Sequence, residues 1–191
     1  DLSPEMIEVA RRKEAALRLE ASVPGRIQWV VGDMRSWTPP VPVDGAVSFC
    51  DALNYLLTED DLFRAFRAVF AGLKPGGTFL FDMHHRNRLE ELAANEPFCE
   101  EDEEFSYIWS CRLDATGTVI THRLAFFMPG GDGRYDKVVE THEQRAYPEP
   151  AVRRLLEEAG FGRVRSFADF TFEPVDDATT MRMFFAAVRE D

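Results

Sequence analysis

The chain has 191 residues, with 34 Asp and Glu against 22 Lys and Arg and a formal net charge of −12. That length suits one domain with a sizeable core, and an acidic chain without a basic patch repels nucleic acid and anionic membrane surfaces. No apolar run approaches a membrane span, the first residues lack the apolar stretch of a signal peptide, and Cys50, Cys99 and Cys111 are too scattered for a zinc or redox pair, which suits a reducing, cytoplasmic setting with no metal.

Residues 4–20 read as a helix, with Ser3 as N-cap, Pro4 at the first helical position, and Met6, Val9, Ala10, Ala16 and Leu17 near one face. "IQWVV" (27–31) and "GAVSFC" (45–50) are short apolar strands. Residues 58–73 form a strong helix. Thr58 caps it, Asp61 sits at the capping-box position, and Leu62, Phe66, Val69, Phe70 and Leu73 make its core stripe. "KPGG" (74–77) is a turn in which Gly76 is free to take a positive φ, and "TFLFDM" (78–83) is a buried strand. A helix is expected near 86–94, capped by one of the histidines before it. This alternation predicts a parallel α/β sheet with helices on both faces.

The next part differs. "EEDEE" (100–104) reads as a solvated loop. Residues 104–113, 118–128 and 134–147 are consecutive strands separated by the hairpin turns "DATG" and "PGGDG". They form a three-stranded antiparallel insert. A helix over 149–160 follows, with Leu155, Leu156 and Ala159 inward and Gly160 ending it. Strands at 163–170 and 181–188 close the chain.

In this order, "DLSPEMIEVARRK", "VVGDMRSW", "VDGAVSFCDALNYL", "LKPGGTFLFDMH" and "THEQRAYPEPAVRRLLEEAGF" resemble the successive motifs of a class I S-adenosylmethionine-dependent methyltransferase of the small-molecule type with a β-insert. The resemblance covers essentially the whole chain. It implies a Rossmann-like sheet in the order 3-2-1-4-5-7-6, a cofactor domain made of 1–103 and 148–191, and a substrate lid made of 104–147. The family's glycine-rich loop after strand 1 has no counterpart before "DLSPEM". The sequence is therefore expected to record part of a longer polypeptide, with a cleft between the 27–31 and 45–50 strands.

The resemblance also implies roles. Asp1, with Leu2 beside it, ends strand 2 and takes the ribose hydroxyls of S-adenosyl-L-methionine. Asp33 takes the adenine amino group and the Met34 amide faces a ring nitrogen. Cys50 and Asp51, at the carboxyl end of strand 4, pass closest to the cofactor, because ligands in open α/β sheets lie there. Asn54 and Tyr55 line the methyl-transfer channel. His84, after strand 5, can act as a general base, since imidazole titrates near neutrality. In the insert, Tyr107, Trp109, His142, Arg145 and Tyr147 are acceptor-side groups. Arg145 suits a carboxylate, and His142 faces the other way from Arg145 on a regular strand. The implied activity is methyl transfer to N, O or C of a small molecule, with a homodimer allowed. The competing readings are a nucleotide-fold dehydrogenase and a degenerate methyltransferase fold used for binding or assembly.

Overall fold

A computed structural model describes residues 1–20, 25–102 and 104–190. Helix α1 (Pro4–Glu20) opens the chain, and Ser3 Oγ accepts from the Met6 amide at 3.1 Å as its cap. Of its apolar residues Ile7 is buried, whereas Met6 and Leu17 are 57% and 60% exposed. The buried face is therefore not the stripe expected from the sequence. The 27–31 segment is not a ladder strand. It runs beside Asp1 through two bonds, Gly32 N to Asp1 O at 2.9 Å and Asp1 N to Val30 O at 3.3 Å, which is too little pairing for a strand.

The first sheet has the order β1-β2-β8-β7, from β1 (Val43–Ser48), β2 (Leu73–His84), β7 (Phe161–Ala168) and β8 (Arg182–Arg189). That is the 4-5-7-6 part of the expected order. Only β1 and β2 are parallel; β8 runs antiparallel to both neighbours. Antiparallel strands need no helical crossover, and the 169–181 loop returns the chain from β7 to β8. The KPGG segment lies within β2 as an irregularity: the register passes from Val43↔Leu73 to Gly45↔Thr78, and Gly76 takes φ 78°.

Helix α2 (Glu59–Gly72) and helix α4 (Glu149–Glu158) cover one face of this sheet. Thr58 Oγ1 accepts from the Asp61 amide at 3.1 Å, as its position in the sequence suggests. Leu62 and Phe66 of α2 and Leu155 and Leu156 of α4 pack on Phe79, Phe81, Met83 and Phe185. Burial of apolar area at roughly 25 cal/mol per Å² makes this cluster the main support of the fold. On the opposite face Val47 and its register partner Leu80 are 67% and 39% exposed, so helices do not cover both faces among the described residues.

The second sheet has four strands, not three: β3 (Phe98–Glu101), β4 (Ser106–Leu113), β5 (Val119–Pro129) and β6 (Tyr135–Arg145), antiparallel in that order. The acidic segment read as a loop supplies the end of β3, where Glu100 faces Tyr107 across the ladder. An edge strand tolerates such charge. Both hairpins form as expected: Asp114 Oδ1 collects the Thr118 and Val119 amides, and Gly117 and Gly133 take positive φ. Helix α3 (Arg86–Asn95), capped by His85, lays Leu89 and Leu92 on Cys111 and Ile120 of this sheet. Among the described residues no helix is long and apolar enough to cross a membrane.

Candidate active site

β1 and β2 are parallel, so their carboxyl ends emerge on one edge, with Ser48 beside Phe81. Cys50 and Asp51 take φ of 61° and 52°. Such left-handed backbone is costly for residues with a Cβ and clusters at functional sites. The two residues turn the chain from β1 into a 3-10 turn, Ala52–Tyr55, and the Asp51 amide donates to Asp82 Oδ1 at 3.3 Å.

Asp51 is the hub. Its Oδ1 lies 3.3 Å from His84 Nε2 at the end of β2 and accepts from Arg182 Nη2 of β8 at 3.1 Å. Its Oδ2 accepts from Gln144 Nε2 of β6 at 2.7 Å. Burial alone would raise this carboxyl. The His84 contact, then Gln144 and Arg182, outweigh burial and hold it well below the usual carboxylate range. Arg182 also pairs with the buried Asp82. The other ring nitrogen of His84, Nδ1, is buried and has no hydrogen-bond partner among the described residues.

A cavity of about 400 Å³ lies between the two sheets. Asp51, Tyr55, His84 and Arg182 form the side nearer the first sheet. Trp109, His122, Leu124, His142 and Gln144 form the side nearer the second, and Arg88 and Leu92 of α3 complete it. Tyr55 meets the His142 ring edge-on at 5.9 Å. Burial, then the Asp51 and Glu140 charges, raise its phenol. Tyr55, expected in the methyl-transfer channel, lies in the cavity wall as a neutral hydrogen-bonding group at neutral pH. Among the described residues no group of three His, Cys, Asp or Glu is placed to hold a metal.

The sequence-derived acceptor groups divide. Trp109 and His142 line the cavity with His84 and Tyr55. Asn54, Arg145 and Tyr147 do not; they join the insert to the first sheet. Asn54 is fully buried, accepts the His84 amide at 2.9 Å and donates to Arg145 O at 2.7 Å. Arg145 donates to Leu57 O at 2.9 Å and covers the Tyr147 ring. Tyr147 is 1% exposed and donates to Leu56 O at 2.5 Å. The reason is the two-residue period: His142 and Gln144 share the inner face of β6, and Arg145 takes the other. Tyr107 shares the Trp109 face but lies farther out, beside Phe105 and Phe126, and is not in the cavity wall.

Gln144, His122 and Arg182 were not singled out from the sequence. Alternation would have found the first two, since His122 pairs with His142 in the β5–β6 register. The basic residue in the apolar run "MRMFF" marks Arg182.

On the cofactor side, one oxygen of Asp1 accepts the Ser3 amide at 2.8 Å. A carboxylate has about four lone-pair sites, so capacity remains for a diol. Leu2 and Met34 are 69% and 40% exposed. Asp33 is committed to Arg35, whose guanidinium contacts both carboxylate oxygens and also reaches Asp61. Those bonds bring Asp33 down to about 2. Cys50 is exposed. The Asp51 side chain faces the cavity network, which leaves its backbone, not its carboxylate, for a cofactor.

The sequence pattern of a family described as a methyltransferase domain matches residues 1–77. YqeM of Bacillus subtilis (strain 168), whose name assigns it provisionally to the methyltransferases, is 37% identical over 188 residues, 98% of this chain and 72% of that one. Among solved structures, an S-adenosylmethionine-dependent methyltransferase from Clostridium acetobutylicum ATCC 824 superposes with a TM-score of 0.83 at 26% identity, covering 100% of this chain and 74% of that one. The sugar N-methyltransferase KedS8 from Streptoalloteichus sp ATCC 53650 shares the fold, with a TM-score of 0.72 at 18% identity over 100% of this chain and 70% of its own.

Proposed function

The chain belongs to the S-adenosylmethionine-dependent methyltransferases, with S-adenosylmethionine as cofactor, and on that premise we propose that it methylates a small acceptor through an N–H or O–H held in the cavity between the sheets. One observation carries this reading: His84 stands in the wall of that cavity with its Nε2 3.3 Å from an ionised Asp51. That is the arrangement of an oriented base.

Asp1, Asp33, Met34 and the Cys50–Asp51 backbone are the groups that would hold the cofactor. When bound, S-adenosylmethionine supplies a methyl group on a sulfonium, so the electrophile is the cofactor's own chemistry. The protein's part is alignment and exclusion of water. Trp109, Tyr55 and His142 enclose the acceptor. Its nucleophilic atom would gain the methyl as the carbon–sulfur bond breaks and the electron pair stays on the departing thioether; the proton it gives up would go to the His84 imidazole, and the Asp51 carboxylate would stabilise the imidazolium that results. The fold shared with KedS8, a sugar N-methyltransferase, makes amino sugars the first acceptors to try, and the acidic chain favours small molecules over polyanions.

The test is methyl transfer from S-adenosylmethionine to a panel of amino sugars and small amines, with His84→Gln compared with the unmodified protein. Turnover is expected to fall by about 10²–10⁴-fold while cofactor affinity, measured by titration calorimetry, stays within about twofold, well under the 1.4 kcal/mol that a tenfold change represents. Full turnover in His84→Gln would remove His84 as the base. Cofactor binding with no transfer to any acceptor would favour a binding or assembly role.

A further inference from the structure

The polar line that runs along the cavity wall from Asp51 to Trp109 has a fixed direction. The ionised Asp51 carboxylate only accepts hydrogen bonds, so Gln144, 2.7 Å away, must turn its amide nitrogen to it. The Gln144 oxygen then faces His122 Nε2 at 3.2 Å, and because an amide oxygen only accepts, Nε2 must carry the hydrogen. From the other end, Trp109 Nε1 lies 3.1 Å from His122 Nδ1. An indole only donates, so Nδ1 must be bare. Cys111 Sγ is 3.4 Å from the same nitrogen. Burial pushes this thiol up to about 11, so it keeps its proton and adds a second donor. Both ends require the same neutral tautomer of His122, and every donor in the line points towards Asp51.

We propose that Gln144 and His122 are positioning residues, forming a one-directional hydrogen-bond relay from Asp51 beside the first sheet to Trp109 on the second that sets the indole as a wall of the acceptor cavity. The geometry of the relay stands by itself; its role towards an acceptor rests on the reading of the cavity given above. One carboxylate thereby orients both the base, His84, and the aromatic surface opposite it. The relay also separates two buried histidines by function. His84 has a free nitrogen, whereas both nitrogens of His122 are engaged, and a proton on Nδ1 would break the Trp109 bond. The titratable groups around His122 are Cys111 on β4, Asp51 after β1, His84 at the end of β2 and His142 on β6. Burial first, and then the neighbouring His84 and His142, hold His122 below its usual range against the pull of Gln144 and Asp51.

The relay is tested by nitrogen NMR of ¹⁵N-histidine- and ¹⁵N-tryptophan-labelled protein. At pH 7 His122 is expected solely as the Nε2–H form. Gln144→Met, close in volume, removes both amide bonds. Exchange of the Trp109 indole proton with solvent is then expected to quicken about tenfold, the upper end for one hydrogen bond, with Trp29 and Trp37 unchanged as internal references. Should Gln144→Met fail to fold, Gln144→Glu sets a second carboxylate against Asp51 and beside His122. His122 should then become cationic near neutral pH, with the same loss of protection at Trp109. An Nδ1–H form or a tautomer mixture in the unmodified protein overturns the proposal, as does unchanged Trp109 exchange in either variant. These readouts need no acceptor, so they stay interpretable whether or not His84→Gln loses methyl transfer.

Discussion

Replacing Asn54 with alanine tests how far this side chain contributes to clamping the insert to the first sheet. Asn54 is wholly buried and spends its oxygen on the His84 amide and its nitrogen on the Arg145 carbonyl. Alanine strands both groups away from water. Each stranded buried group costs roughly 1–3 kcal/mol, so the substitution should cost about 2–6 kcal/mol in total. Domains of this kind have about 5–15 kcal/mol to lose. At roughly 2–4 °C per kcal/mol for a chain of this size, Tm should fall by about 4–24 °C. Thermal unfolding by circular dichroism at pH 7, with hydrogen exchange at the His84 amide, measures both the global and the local effect. Asn54→Asp sharpens the test. Its carboxylate still accepts from the His84 amide but repels the Arg145 carbonyl, and only the protonated acid can donate there. The folded-state pKa of that acid is therefore raised, so its contribution is present at low pH and lost as pH rises. Asn54→Asp should recover relative to alanine on acidification. A Tm within about 2 °C of the unmodified protein, with the His84 amide still protected in Asn54→Ala, would refute the clamp.

Two further substitutions probe the same corner through pH. Burial raises the Tyr147 phenol from 10.0 to about 12, so its contribution is complete below pH 10 and is lost as pH climbs towards 12. Tyr147→Phe should cost about 1–2 kcal/mol at pH 7, for the Leu56 carbonyl left without a donor, and should remove roughly 1–1.5 kcal/mol of the alkaline loss reached by pH 11. Urea unfolding from pH 7 to 11 reads both, and an alkaline limb as steep as before would count against it. The depressed Asp51 carboxyl acts in the opposite sense: its contribution is full above the ordinary value of 3.8 and fades as pH falls below it. Asp51→Asn should therefore be less stable at pH 7 by an amount that shrinks towards pH 2, and a gap constant across that range would contradict the assignment.

Local chemistry was legible in the sequence. The Thr58 cap, the α2 stripe, the Gly160 terminus with φ 106° and both hairpin turns follow from residues within a few positions of each other. Failures came where pairing decides. Residues 27–31 have the apolar pattern of a strand, but two bonds to Asp1 are not a ladder. β3 carries two glutamates and forms because β4 offers it an edge. In α1 the apolar residues spread over two faces, and only the one bearing Ile7 meets a neighbour. The candidate site divides similarly. His84, Asp51, Tyr55, Trp109 and His142 were named from the resemblance. Gln144, His122 and Arg182 act through partners 11 to 131 positions away; strand alternation places the first two on the inner face, but no local spacing gives their partners.

The anchoring bonds give the insert two unlike ends. Gln144, Arg145 and Tyr147 bond to Asp51, Asn54, Leu56 and Leu57, a run of seven positions after β1 that also carries Tyr55. A hinge between the sheets at this corner would break buried bonds to Asn54 and Tyr147, and those groups have no water to turn to. The near end is therefore rigid, and it is the end that holds His84, Gln144 and His122. Outward along the same inner face the residues become Leu124, Tyr107 and Phe126, and then the half-exposed Val138 and Met128. None of these takes part in the Asp51 network. Changes there alter a surface without unsatisfying a buried polar group, so their cost in stability is small. If the cavity takes an acceptor as proposed, a fold built this way can vary what it admits at the outer end while the corner around Asp51 stays constant. The corner tolerates little, because Asn54 and Gln144 each serve two partners at once and Asp51 serves three, so replacing any one of them removes several buried contacts together.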